Sequence, residues 1–187
     1  MQTFRPAILA FGICRGKRLT ANGEMEVEMK IPRRHIFVCT ARFCANNKSE
    51  EVLERFRQEI AQRGLSDVKL TPCGSVGMCD IGPTVIIYPE GVWYVGVNSE
   101  DVPEILEGKP VERLRITPDH PEELKRKDFY NKLVDKVQVS EEELKRLAEE
   151  TGFSEEWLNN QFISGFIEVQ GTLFQASSKT KGRYIGG

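Results

Sequence analysis

Apolar positions along this chain of 187 residues fall into alternation or into three-and-four spacing, and the switches between the two lay out its elements. Met25, Val27, Met29 and Ile31 alternate with charged residues as on a half-buried strand, and Asn22-Gly23 is placed to join that run to the apolar "AILAFGI" as a hairpin. "HIFVC" predicts a short strand ending on Cys39. After a polar loop, Val52, Leu53, Phe56 and Ile60 recur at helical spacing, with Ser49 placed to cap that helix and Gly64 to follow its last turn. "VKLTP" predicts another strand, and "TVIIYPEGVWYVGV" predicts two joined at Pro89-Glu90-Gly91. Ser99 stands where it would cap a short helix over "EDVPEILEG", whose proline lies in the first turns, where a missing amide donor is tolerated. The order strand, helix, strand, hairpin, helix predicts an α/β fold with a single sheet flanked by helices.

Beyond Ile116 the pattern changes. "PDHPEELKRKDFYNKLVDK" is highly charged and partly helical in pattern, and "SEEELKRLAEETGFSEEWLNNQF" predicts two short helices, capped by Ser140 with Glu143 as a capping box and by Ser154. The chain therefore reads as an N-terminal hairpin extension over 1–34, an α/β domain over 35–116, an appended helical unit over 117–176 and a tail over 177–187. The tail, "SSKTKGRYIGG", is polar, basic and glycine-ended, which predicts disorder. Because the helices carry their own caps and apolar residues, removing Ser140 to Gly187 is expected to leave the α/β domain intact.

Charge narrows the function. The 26 basic and 28 acidic side chains nearly cancel, so no global field draws the chain to nucleic acid or to an anionic membrane. The helix, glycine turn and helix after Ser140 have the outline of a helix-turn-helix unit. Seven glutamates against two basic residues between Ser140 and Gly165 have the wrong sign for phosphate, however, so nucleic acid is not an expected partner and the acidic surface suits protein docking. The apolar stretches fall well short of the roughly 20 residues of a membrane span, and no basic leader precedes them. The expected location is cytoplasmic.

Cysteine usage is where chemistry enters. Five cysteines, Cys14, Cys39, Cys44, Cys73 and Cys79, are an odd number without a secretory signal, which disfavours a disulfide framework. Four of them form two pairs, "CTARFC" and "CGSVGMC", set in small-residue loops. Four thiolates suit a two-iron, two-sulfur cluster, in which each ferric ion takes two cysteine sulfurs beside two bridging sulfides. They also suit a structural zinc ion, and free cysteines are common as buried apolar groups. A reactive dithiol is disfavoured because the chain has no C-x-x-C. Gly74, Ser75, Gly77 and Gly82 supply backbone able to aim amide N–H groups at sulfur.

"HIFVC", "CDIGP" and above all "VIIYPEGVWYVGVNSEDVPEILEGKPVERL" resemble the thioredoxin-like two-iron, two-sulfur ferredoxins of bacteria, relatives of the small cluster-bearing subunit of respiratory complex I. The resemblance spans His35 to Ile116. It implies a thioredoxin-like fold, a 2Fe-2S cluster held near the surface in two loops, a homodimer, and a one-electron carrier between redox partner proteins that performs no chemistry on a substrate. It carries the ligand role onto Cys39, Cys44, Cys73 and Cys79. One departure bears on Cys73: the family pattern has three residues between its second pair of cysteines and this chain has five. Alignment from "GMCDIGP" puts Ser75 at the first cysteine, and alignment from "LTPC" puts Cys73 there. The thiol is the softer and more acidic ligand, which favours Cys73, with Cys14 uninvolved.

A cluster-bearing accessory or assembly subunit of a larger redox complex is the alternative reading, and a redox-sensing regulator is disfavoured by the charge of the helical unit. The resemblance also suggests a cis bond before Pro83. Trp93 and Tyr94 read as core or dimer contacts, as aromatic residues on short strands usually are. Arg42 is placed to neutralise part of a cluster's charge or simply to be solvated. His35 and His120 stand apart from the cysteines and are not expected to ligate metal.

Overall fold

Strand β3 (Arg34–Cys39) buries Ile36 and Val38 on one face and leaves His35 and Phe37 half-covered on the other, as alternation requires. The structure is a computed structural model that describes residues 17–19, 25–27 and 31–185. In it β3 is flanked by β4 (Val68–Cys73), parallel, and by β5 (Val85–Tyr88), antiparallel. The sheet continues through β6 (Val92–Tyr94) and β7 (Arg115–Ile116), in the order β4-β3-β5-β6-β7. β5 and β6 form the expected hairpin, whose turn uses Gly91 at φ 64°. Gly82-Pro83 is cis, as the resemblance suggested, and so is Tyr88-Pro89.

A parallel pair needs a crossover, which the segment between β3 and β4 supplies. It holds a short helix α1 (Arg42–Asn46) and the longer α2 (Ser49–Gln62). The apolar stripe of α2, Val52, Leu53 and Phe56, packs on Ile36, Val38, Val85 and Ile87 of the sheet. Each such side chain contributes ~1.5–3 kcal/mol when fully withdrawn from water. α3 (Val102–Leu106) adds Val102 and Ile105 to the same core. Tyr94 is buried there, and its hydroxyl accepts from the Val111 amide at 3.3 Å.

Two caps differ from the sequence reading. Ser49 is the first residue of α2 and is buried, while Lys48 precedes it in the left-handed region at φ 66°. The polar loop before it contains α1, so the chain must reverse between two helices at Asn47-Lys48 rather than enter α2 extended. Likewise Asn98, not Ser99, caps the turn ahead of α3, in a reciprocal pair with Asp101.

After the sheet come α4 (Pro121–Asp135), α5 (Glu141–Glu150) and α6 (Glu155–Ile163), with Ser140 and Ser154 capping as expected. A hairpin of β8 (Ile167–Gln170) and β9 (Leu173–Ala176) follows, where the sequence reading had only helix. Phe129, Tyr130, Phe153, Trp157, Phe166 and Tyr184 form an aromatic core among these elements. The segment expected to be disordered is helical instead, as α7 (Ser178–Thr180) and a continuing turn over Lys181–Ile185. Tyr184 explains the difference: this one aromatic side chain in a polar segment is buried and stacks on Tyr130 at 4.7 Å.

The chain divides into residues 1–31 and a single compact unit, Pro32–Gly187, so the segments 35–116 and 117–176 lie within one body. In the first unit, β1 (Lys17–Leu19) pairs antiparallel with β2 (Met25–Val27). The expected strand "AILAFGI", the turn Asn22-Gly23 and Cys14 lie outside the described residues.

Candidate metal centre

Strand register begins the site. β3 and β4 run parallel and pair Cys39 with Cys73 at their C-terminal ends, so one thiol of each sequence pair reaches the same edge of the sheet. The chain then leaves both strands in loops. α1 turns Cys44 back toward Cys39, and a short helical turn over Cys79–Ile81 brings in the second pair's other cysteine. Cys39, Cys44 and Cys79 are buried with their sulfurs mutually within 4.8 Å, and Cys73 packs against them, half-buried. Cys39 Sγ and Cys79 Sγ lie 3.6 Å apart and all four thiols are free.

Backbone and hydroxyl groups close around this sulfur cluster. Cys39 Sγ lies 3.4 Å from the Gly74 carbonyl, and Ser75 Oγ lies 3.1 Å from Cys79 Sγ. Gly82 faces Cys44 directly: a Cβ there would stand 2.6 Å from its sulfur. The Cys39 amide donates to Thr84 O at 2.9 Å and the Thr40 amide to Cys73 O at 2.9 Å, which pins both strand ends.

Hydrogen bonds from Cys44, Cys73 and Cys79 hold the Cys39 thiol far below its ordinary value. The Cys44 thiol is pushed up by its hydrogen bonds with Cys39 and Cys79 and by burial; Cys73 and Cys79 are pushed up by Cys39 first and by burial, with Cys44 and, less, Ser75 pulling Cys79 back. Four converging sulfurs are an arrangement that suits a soft cation, which deprotonates thiols as it binds. Four sulfur donors, a bare glycine against one of them and a polar loop beside another fit a thiolate-ligated metal group.

The sequence-selected residues thus behave differently. Cys39, Cys44 and Cys79 converge tightly, Cys73 joins them at the strand end, and Ser75 also touches the cluster through Cys79. Arg42 is exposed, His35 is engaged with Thr71 Oγ1 at 2.8 Å, and His120 caps α4 by accepting from the Glu122 amide.

No protein-family model matches the chain. Among curated proteins it is 42% identical to "Ferredoxin, 2Fe-2S" of Clostridium pasteurianum, over 97% of that protein and 46% of this chain. A second relative, "Ferredoxin, 2Fe-2S" of Aquifex aeolicus, is 39% identical over 93% of its length and 47% of this chain. The chain belongs to the thioredoxin-like 2Fe-2S ferredoxin family. Among solved structures, the wild-type thioredoxin-like [2Fe-2S] ferredoxin from Aquifex aeolicus is 39% identical, with 98% of that chain and 46% of this one covered and a TM-score of 0.43. More than half of this ferredoxin therefore lies outside the match with those relatives.

Sequence reasoning missed two features of the site. Arg126 on α4 is fully buried and pairs with Asp80, next to Cys79, and with Glu122 at 3.0 Å. Burial pushes the Asp80 carboxyl up and the Arg126 guanidinium opposes it. A cleft of about 480 Å³ opens beside Cys79 and Asp80, walled by Phe43 and Asn47 on one side and by Lys125, Phe153 and Trp157 on the other. Forty-six positions separate Asp80 from Arg126, and no local pattern announces the pair.

Proposed function

We propose that this protein is a one-electron carrier whose cluster is held by Cys39, Cys44, Cys73 and Cys79. The observation that carries the reading is the convergence of Cys39, Cys44 and Cys79 within 4.8 Å, with Cys73 packed against them, in a chain of this family. When bound, a 2Fe-2S cluster supplies a one-electron couple at a fixed site. The chain does the rest: β3 and α1 present the first two thiolates, β4 and the Cys79 turn present the second two, and burial of three of the four sulfurs limits water's access to them. Ser75 fits a supporting role in which its hydroxyl donates to the Cys79 sulfur and stabilises negative charge there. The hydroxyl is too weak an acid to displace the Cys73 thiol as a ligand.

No chemistry on a substrate is required of the site, so the protein acts as a carrier rather than an enzyme. Its partners are other redox proteins, which meet the sulfur edge of the sheet. A homodimer in the cytoplasm is the proposed form; among the described residues no helix is long and apolar enough to cross a membrane. The test is anaerobic purification followed by visible absorption and by iron, sulfide and zinc analysis. A brown protein with about two iron and two sulfide per chain is expected. A colourless protein containing zinc alone would sink the reading.

A further inference from the structure

The second cysteine loop is held from outside the α/β segment that carries the family's motifs. Gly77, at φ 91°, lies so close to the C-terminal elements that a Cβ would stand 2.9 Å from Phe166 Cζ and 3.1 Å from Tyr184 Oη. Gly77 and its neighbour Met78 are buried. Three residues further on, Asp80 is paired to Arg126, a guanidinium with no exposure that also donates to the Glu122 carbonyl at 2.8 Å. Tyr184 in turn stacks on Tyr130, and Arg183 is paired with Glu123 at 3.1 Å, which fixes the last described turn to α4. The loop between Cys73 and Cys79 is thereby gripped on both sides of Met78 by residues 126, 166 and 184.

Charge accompanies the grip. Lys179 donates to Ser164 O at 2.9 Å and lies over the Phe166 ring at 4.3 Å, the same ring that abuts Gly77. Its ammonium therefore sits on the ring that abuts the second cysteine loop, and burial lowers its pKa. Because Arg126 is fully buried and Asp80 half-buried, their pair is costly to leave half-made, so each partner constrains where the other can stand.

We propose that the C-terminal elements are part of the cysteine centre: Phe166, Tyr184 and Arg126 fix the Cys73–Cys79 loop, and the charges of Arg126, Asp80 and Lys179 set the reduction potential of the group the cysteines hold. Arg126 is a positioning residue, acting through Asp80 on the backbone that carries Cys79. The tuning rests on the cluster reading given above; the grip on the loop does not. A positive charge near the centre favours its more negative, reduced form, and a negative charge disfavours it.

The experiment measures reduction potential by spectroelectrochemical titration, with electron paramagnetic resonance of the reduced protein, on full-length loaded wild type, Lys179→Gln, Arg126→Gln, Asp80→Asn and the Arg126→Gln/Asp80→Asn double variant. Lys179 is exposed, so its variant folds whatever happens at the buried pair. The potential is expected to fall in Lys179→Gln and Arg126→Gln, to rise in Asp80→Asn and to return toward wild type in the double variant. Lys132→Gln, in an exposed pair with Asp128, is the control and leaves the potential unchanged. Potentials that match wild type in Lys179→Gln and Asp80→Asn, or that shift with the same sign in Arg126→Gln and Asp80→Asn, overturn the tuning. A wild type lacking iron and sulfide overturns the tuning together with the cluster reading. In either case amide hydrogen exchange of Phe166→Ala judges the grip: exchange over residues 74–82 is expected to rise about ten-fold relative to residues 39–47. An unchanged ratio overturns it.

Discussion

The two cysteine loops of this ferredoxin are built by different means. The first, from Cys39 to Cys44, is largely local: a strand end and one short helix place both thiols within a few residues of chain, and one longer-range contact, the Cys39 amide donating to the Thr84 carbonyl, anchors the strand end. The second, from Cys73 to Cys79, has no regular structure between β4 and the Cys79 turn. It takes its shape from Arg126, Phe166 and Tyr184, which lie far along the chain. A cysteine site can therefore have one half specified by its motif and the other by tertiary packing. The half that depends on packing is the one whose length departs from the pattern that the resemblance implies.

This difference is testable by disturbing one loop and watching the other. The largest effect is expected from Phe129→Ala, which removes a fully buried ring at the centre of the C-terminal aromatic core. A loss of ~3–5 kcal/mol is expected in chemical unfolding, and hydrogen exchange should rise over residues 74–82 well before it rises over 39–47. Equal deprotection of the two loops would erase the distinction between them.

A smaller effect that reaches both loops is expected at Gly82. An alanine there would crowd Cys44 Sγ at 2.6 Å and Cys79 O at 3.3 Å, costing ~1–3 kcal/mol as overpacking and bleaching or shifting the visible spectrum. Gly74→Ala meets nothing within 4 Å and should leave that spectrum unchanged. Gly77→Ala strikes the second loop alone. With φ at 91° and Phe166 in the way, it should cost ~1–3 kcal/mol of strain and move the electron paramagnetic resonance of the reduced protein while the Cys39 and Cys44 amides keep their exchange protection.

How much of this was legible in the sequence follows the same division. The strand ending on Cys39, the amphipathic α2, the hairpin at Pro89-Glu90-Gly91 and the caps Ser140 and Ser154 each rest on near-neighbour chemistry and are found where the pattern put them. Cys39, Cys44 and Cys79 could be selected because pairing in small-residue loops is itself a local signal. The pair of Arg126 with Asp80 could not, since two ordinary charged residues carry no mark of burial. Nor could the order of the segment after Ser177: its polar composition predicted disorder, and only the receiving surface of Tyr130 and Phe166 reverses that for Tyr184. For the same reason the helical unit looked removable, although Phe166 and Tyr184 lie against Gly77. The hairpin of β8 and β9 was readable from the alternation in "IEVQGTLFQA", which a helical reading of the whole region passed over.

The central claim is that two differently built loops supply one four-sulfur site, and the residue that decides it is the one completing the second pair. Ser75 touches the Cys79 sulfur, whereas Cys73 reaches the site from the end of β4 opposite Cys39. The most direct measurement is visible absorption and electron paramagnetic resonance of anaerobically purified Cys73→Ala beside Ser75→Ala. The account predicts that Cys73→Ala abolishes or grossly alters the cluster spectrum, while Ser75→Ala retains it with a modest shift. A retained spectrum in Cys73→Ala with a lost one in Ser75→Ala would contradict the account.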